Sequence, residues 1–107
     1  MRVVLCTTPK DKAEEIAAKL LEEKLVACVN IVDGIKSKYW WDGKIQTDIE
    51  TLLIIKTRKE LIDPLTTRIK ELHPYDVPEI IALKIKGGST EYLNWIEKSV
   101  SIRHEEK

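Results

Sequence analysis

Cysteine is scarce in this chain: Cys6 and Cys28 are the only two. Two thiols cannot build the disulfide framework of a small secreted domain, and in a reducing compartment both stay free. No Cys-x-x-Cys or His-x-x-x-His pair is present, which excludes a preformed structural zinc site. An excess of charge is also missing, because 18 basic side chains balance 18 acidic ones. Nothing in that balance draws the whole chain toward nucleic acid or an anionic membrane surface. No apolar run is long enough to span a bilayer, and the opening Met1-Arg2-Val3-Val4-Leu5 carries no cleavage site of a secretory signal. The expected location is the cytoplasm, with no nucleic-acid or membrane partner. Gly-x-Ser-x-Gly and His-Glu-x-x-His are both absent. Gly87-Gly88-Ser89-Thr90 lacks the lysine and the spacing of a phosphate-binding loop, so it reads as a strand end and a helix cap. With no activated nucleophile in view, a hydrolase acting through His73 and Glu79 is disfavoured and no enzyme is expected.

The most informative stretch that is present is Leu72-His73-Pro74-Tyr75-Asp76-Val77-Pro78-Glu79-Ile80-Ile81. Each proline fixes its own φ and pushes the preceding residue out of the helical region. His73 is thereby expected to end a helix and Val77 to be extended, with an imidazole held at a rigid corner beside a phenol and two carboxylates.

Around that corner the elements are regular. Residues 2–8 read as a buried strand, and Thr8-Pro9 as a cap followed by a proline at the first helical position. Ala13, Ile16, Ala17, Leu20 and Leu21 recur at helical spacing and predict a helix over 9–25. A second strand covers 26–32 up to the Asp33-Gly34 turn, and the chain continues extended through Ile35 to Trp41. Asp42-Gly43 is a strong hairpin signal, returning the chain as a third strand over 44–57. Thr57-Arg58-Lys59-Glu60 fits a capping box ahead of a helix lined by Leu61, Ile62, Leu65, Ile69 and Leu72. Pro64 predicts either a kink there or a restart capped by Asp63. A fourth strand is expected over 77–85 and a third helix over 90–101, with 103–107 frayed.

The order βαββαβ plus a C-terminal helix predicts an α+β, ferredoxin-like fold. Residues 1–107 form one domain, with a four-stranded antiparallel sheet, helices on one face and a long projecting hairpin. Strands two and three far exceed the usual length of about five or six residues, and an isolated two-stranded ribbon is marginal in water. With Tyr39-Trp40-Trp41 at its tip, the hairpin calls for a second copy of the chain.

Candidate chemistry is sparse. Cys6, near the end of the first strand, is either a small hydrophobe or a soft metal ligand within reach of an ion. His73 is a base, a ligand, or a partner of the last helical carbonyls. His104 sits in the tail and reads as solvated. Glu50 and Lys56 either line a cleft between subunits or face solvent. Tyr39, Trp40 and Trp41 suit an interface better than a stacked ligand.

Ala27-Cys28-Val29-Asn30-Ile31, Tyr39-Trp40-Trp41-Asp42-Gly43-Lys44, Leu53-Ile54-Ile55-Lys56-Thr57, His73-Pro74-Tyr75-Asp76-Val77-Pro78-Glu79-Ile80 and Tyr92-Leu93-Asn94-Trp95-Ile96 resemble, in order, the CutA family of divalent-cation tolerance proteins. The resemblance implies a ferredoxin-like domain in a tight, PII-like homotrimer joined by its hairpins. It implies a role in tolerance to divalent metal ions, no required cofactor, copper or another divalent ion as a ligand, and an unidentified protein partner. It carries metal binding onto Cys6 and His73, with Leu72 standing where the family pattern has a first histidine, and places Tyr75 near the inter-subunit cleft. The alternatives are a PII-like trimer that binds a small anionic effector through Lys56, Arg58 and the tryptophans, and a structural trimer that anchors other proteins.

Overall fold

The computed structural model describes residues 1–100, so the expected tail with His104 lies outside the described residues. Eight segments follow one another: β1 (Arg2–Thr8), α1 (Lys10–Glu22), β2 (Cys28–Trp41), β3 (Lys44–Thr57), a 3-10 turn (Lys59–Leu61), α2 (Ile62–Leu72), β4 (Ile81–Lys84) and α3 (Thr90–Ser99). The sheet runs β2-β3-β1-β4 with every pair antiparallel, which is the ferredoxin-like order expected from the sequence.

Strand alternation divides the sheet between two environments. Val4 and Cys6 of β1, and Leu53 and Ile55 of β3, point to one side. There they pack against Ala13, Ile16 and Leu20 of α1 and Leu65 and Ile69 of α2. Val3 and Leu5, opposite Lys56 and Ile54 on β3 and Leu83 and Ile81 on β4, point to the other side. No element of α1 or α2 covers that second face, and Ile81 and Leu83 remain about half exposed on it. Cys28 and Asn30 share this side, since they pair with Lys56 and Ile54. Burial and the neighbouring Cys28 raise the Tyr92 phenol of α3, so α3 reaches the side away from α1 and α2 near the β2 edge.

Several boundaries differ from the periodicity, each for a local reason. Helix α1 stops at Glu22 rather than Leu25, because Lys24 takes the left-handed conformation at φ 58°. Leu25 then donates its N–H back to the Leu20 carbonyl, closing a Schellman-type end that folds Leu25 onto the core. Lysine bears a strain there that glycine does not, so Lys24→Gly is expected to stabilise the chain by about 0.5–1 kcal/mol, read from urea midpoints. At the other end Thr8 does not cap: its hydroxyl donates to the Pro9 carbonyl, and Pro9 itself precedes the first turn. The expected capping box also dissolves, since Thr57 is buried and its hydroxyl donates to the Leu25 carbonyl at 2.7 Å. Pro64 is the third residue of α2, where an N–H would be unpaired anyway, and Leu61 rather than Asp63 precedes the helix.

Strand β2 is continuous through Asp33-Gly34 instead of ending there. A bulge between Val32 and Ile35 absorbs Gly34 at φ 77°, and Asp33 accepts a hydrogen bond from Thr51 at 2.9 Å. Asp42 and Gly43, at φ 55° and 75°, make the expected tight turn. Strand β4 is shorter than expected, beginning at Ile81 opposite Leu5, and Val77 is exposed in an irregular segment. Helix α3 ends at Ser99, and Ser89 caps it by accepting the Tyr92 N–H. The hairpin outruns the helices and stretches the chain to 48 × 28 × 22 Å.

Candidate functional site

The two expected metal ligands meet at one backbone atom. His73, the first residue after α2, sits in extended geometry because Pro74 follows it. Its Nε2 lies 2.8 Å from the Thr7 carbonyl oxygen, and the Cys6 thiol approaches that same oxygen at 3.7 Å. The other ring nitrogen, Nδ1, accepts the Tyr75 N–H at 3.1 Å. A nitrogen that accepts from a peptide N–H carries no proton, so Nε2 bears the hydrogen and donates it to Thr7. Both nitrogens of the imidazole are therefore committed to backbone, and the ring is buried. The Cys6 side chain is wholly buried, and its thiol is pushed up to about 12 by that burial and by the charges of Glu79 and Glu50. Among the described residues no group of three or more His, Cys, Asp or Glu side chains is placed to enclose a metal ion.

Beside this pair lies an open cleft of about 700 Å³ between the base of the hairpin and the corner after α2. Alternation decides which hairpin residues enter it. Ser37, Tyr39 and Trp41 of β2 share a side with Asp48 and Glu50 of β3, Ser37 standing directly opposite Asp48. From the corner come Tyr75, Asp76 and Glu79. Tyr75 stacks at a tilt on His73, centroids 4.7 Å apart, and donates its hydroxyl to Glu50 at 2.9 Å. That bond ties the corner to the hairpin. Burial, then the Glu50 hydrogen bond, push the Tyr75 phenol up to about 12. Tyr39 bonds Asp48 in the same way, and that bond raises its phenol too. Both phenols thus stay neutral donors to carboxylates across the physiological range.

The chain matches the family described as CutA1 divalent ion tolerance protein over residues 2–99. It belongs to that family. Its relatives include the chloroplastic CutA 1 protein of Oryza sativa subsp. japonica, 57% identical over 98 residues covering 91% of this chain and 55% of that protein. The divalent-cation tolerance protein CutA of Thermus thermophilus is 49% identical over 98 residues, covering 91% of this chain and 95% of that one. The chain thus spans about half the length of the rice and Arabidopsis thaliana relatives it matches. Crystal structures agree. CutA1 of Oryza sativa superposes with a TM-score of 0.92 at 55% identity, over 94% of both chains. CutA1 of Pyrococcus horikoshii gives 0.89 at 41%, over 94% of this chain and 99% of that one.

Within this CutA1-family chain, the residues singled out in the sequence separate into three groups. Tyr39, Trp41, Glu50 and Tyr75 come together in the cleft. Cys6 and His73 come together at the Thr7 carbonyl. Trp40 and Lys56 join neither group: Trp40 points out from the far side of the hairpin opposite Ile45, and Lys56 bonds Asn30 on the sheet face. Asp48 was not singled out, although it stands two residues before Glu50 and so on the same strand face. Ser37 escaped notice for the same reason, two residues before Tyr39.

Proposed function

We propose that this CutA1-family chain is a divalent-metal tolerance protein that works as a homotrimer and takes copper weakly at Cys6 and His73. The observation that carries this reading is the meeting of the Cys6 sulfur and the His73 Nε2 on a single carbonyl oxygen. Names carried by its relatives, divalent-cation tolerance proteins in Thermus thermophilus and Pectobacterium atrosepticum, support the metal role. One thiolate and one imidazole suit a soft ion of low coordination number, copper(I), far better than a hard divalent ion that demands oxygen donors. Weakness follows from the geometry. Cys6 has to give up a proton it holds to about 12, and His73 has to release Thr7. Releasing His73 also frees the Tyr75 N–H, which loosens the corner and, through Tyr75 and Glu50, the hairpin. Hairpin movement is then the signal to a protein partner.

The trimer rests on two exposed apolar surfaces: the sheet face of Ile81 and Leu83, and the outer hairpin side of Trp40, Ile45 and Ile49. The unpaired thiols Cys6 and Cys28 fit a reducing cytoplasm. No reaction is assigned, in keeping with a family described by tolerance. An anionic effector fits the cleft poorly, because its lining is acidic.

Titrating the protein with copper(I) and copper(II) against a competing chelator tests the ligand pair. Copper(I) is expected to bind, and Cys6→Ala and His73→Ala are each expected to weaken it by about tenfold or more. Affinity unchanged in either variant would reject the pair.

A further inference from the structure

The cleft supplies no ligand in the copper reading, and its chemistry is of a different kind. We propose that it is a receptor site for a small organic ammonium ion, held by carboxylates at its charged end and by aromatic rings along its carbon skeleton. Four carboxylates line it: Asp48, Glu50, Asp76 and Glu79. Ion pairs among the described residues join Arg58 to Glu60 and Arg68 to Glu23 and Glu71, so none of the four is neutralised. Lys38 borders the cleft, but its ammonium turns to the other side of the hairpin and donates to Thr47 at 3.0 Å. The Glu50 residue is more than nine-tenths buried, yet its carboxylate meets only the Tyr75 hydroxyl, on Oε2. Its Oε1 receives no donor among the described side chains and opens into the cleft, since no buried side-chain oxygen or nitrogen of those residues is left without a partner. A largely buried carboxylate with one oxygen open to the cleft gives an entering ammonium group a charge-assisted partner.

The walls select among cations. Tyr39 and Trp41 project from the hairpin and Tyr75 from the corner, each ring still partly exposed. Aromatic faces attract alkylammonium groups and give nothing to a small, strongly hydrated metal ion. Neither phenol oxygen is free to ligate, since each is bound to a carboxylate. A space of about 700 Å³ is far larger than an ion needs and falls within the range of small-molecule sites. Charge excludes anions, and the absence of a three-donor cluster among the described residues argues against a chelated metal. An amine with an apolar body satisfies both groups of residues.

Calorimetric titration with choline, its neutral isostere dimethylbutanol, and spermidine tests the site. Saturable binding of an ammonium compound is expected, with the isostere silent at the same concentration. Glu50→Gln and Trp41→Leu are each expected to weaken binding by about tenfold. Trp41 is largely exposed, so its variant folds even where the buried Glu50 substitution does not. Cys6→Ala, which leaves His73 and Tyr75 with their contacts, is expected to keep ammonium binding while weakening copper, which separates this site from the copper pair. Equal binding of dimethylbutanol, no saturable heat from choline or spermidine, or binding indifferent to Trp41→Leu would each overturn the proposal.

Discussion

Raising the pH from 9 to 12 is expected to cost the folded chain on the order of 4 kcal/mol through Cys6 alone. The sign follows from where each state keeps its proton. Once unfolded, the thiol gives up its proton near 9, whereas the folded chain holds it to about 12, chiefly because Cys6 is wholly buried. Between those values the unfolded state binds fewer protons than the folded one, so stability falls as pH rises. The contribution is complete below 9 and spent by about 12, at roughly 1.4 kcal/mol per pH unit. Against a total of about 5–15 kcal/mol for a domain, that loss decides whether the chain stays folded. Urea denaturation at several points between 9 and 12 measures it, with Cys6→Ala as the reference. Alanine leaves a small cavity whose cost is constant with pH, so only the slope is compared. Tyr75 also titrates late, but it does so in both proteins and cancels. Parallel slopes for the two proteins would refute the assignment.

The same burial explains why Cys6 was ambiguous in the sequence. A cysteine inside an apolar strand looks identical whether it faces the core or a ligand, and only the partner strand and helix tell them apart. His73 was ambiguous for a related reason: its decisive contact, the Thr7 carbonyl, lies 66 residues away. Strand register and helix faces, by contrast, were legible because they repeat. The Asp42-Gly43 turn fixes the pairing of the hairpin, and that pairing places Tyr39 and Trp41 on one side and Trp40 on the other. Reading the three aromatics as one cluster overlooked the period of the strand they sit on. Boundaries failed where the deciding contact was tertiary. Thr57 looks like a cap but is spent on Leu25, and β4 starts where Leu5 of β1 can receive it rather than where its apolar run begins. Lys24 in a left-handed conformation has no sequence signal at all.

Leu83→Asp is expected to dissociate the proposed homotrimer while leaving the monomer fold nearly intact. Leu83 lies on the short edge strand β4, pairs with Val3 and points away from α1 and α2. In the single chain it is half exposed, so a carboxylate there stays in water and costs the fold little. Ile81 flanks it on the same face, and Val3, Leu5 and Ile54 continue the apolar surface across the sheet. A face of that kind on a ferredoxin-like sheet, with α1 and α2 packed on its other side and α3 near it only at Cys28 on the β2 edge, remains in contact with water at β4 unless another copy covers it. In the assembled state the new carboxylate is desolvated with no partner, at about 4 kcal/mol per interface, which raises the dissociation constant roughly a thousandfold. Light scattering across a dilution series reads the change in mass, and circular dichroism with urea midpoints reads the fold of the variant. A trimer that survives Leu83→Asp would move the interface off this face. Ile49→Asp then tests the alternative, since Ile49 is exposed on the outer side of the hairpin, opposite Lys36. Loss of the trimer in Ile49→Asp alone would assign assembly to the hairpin, and loss in both would make hairpin and sheet face one continuous contact.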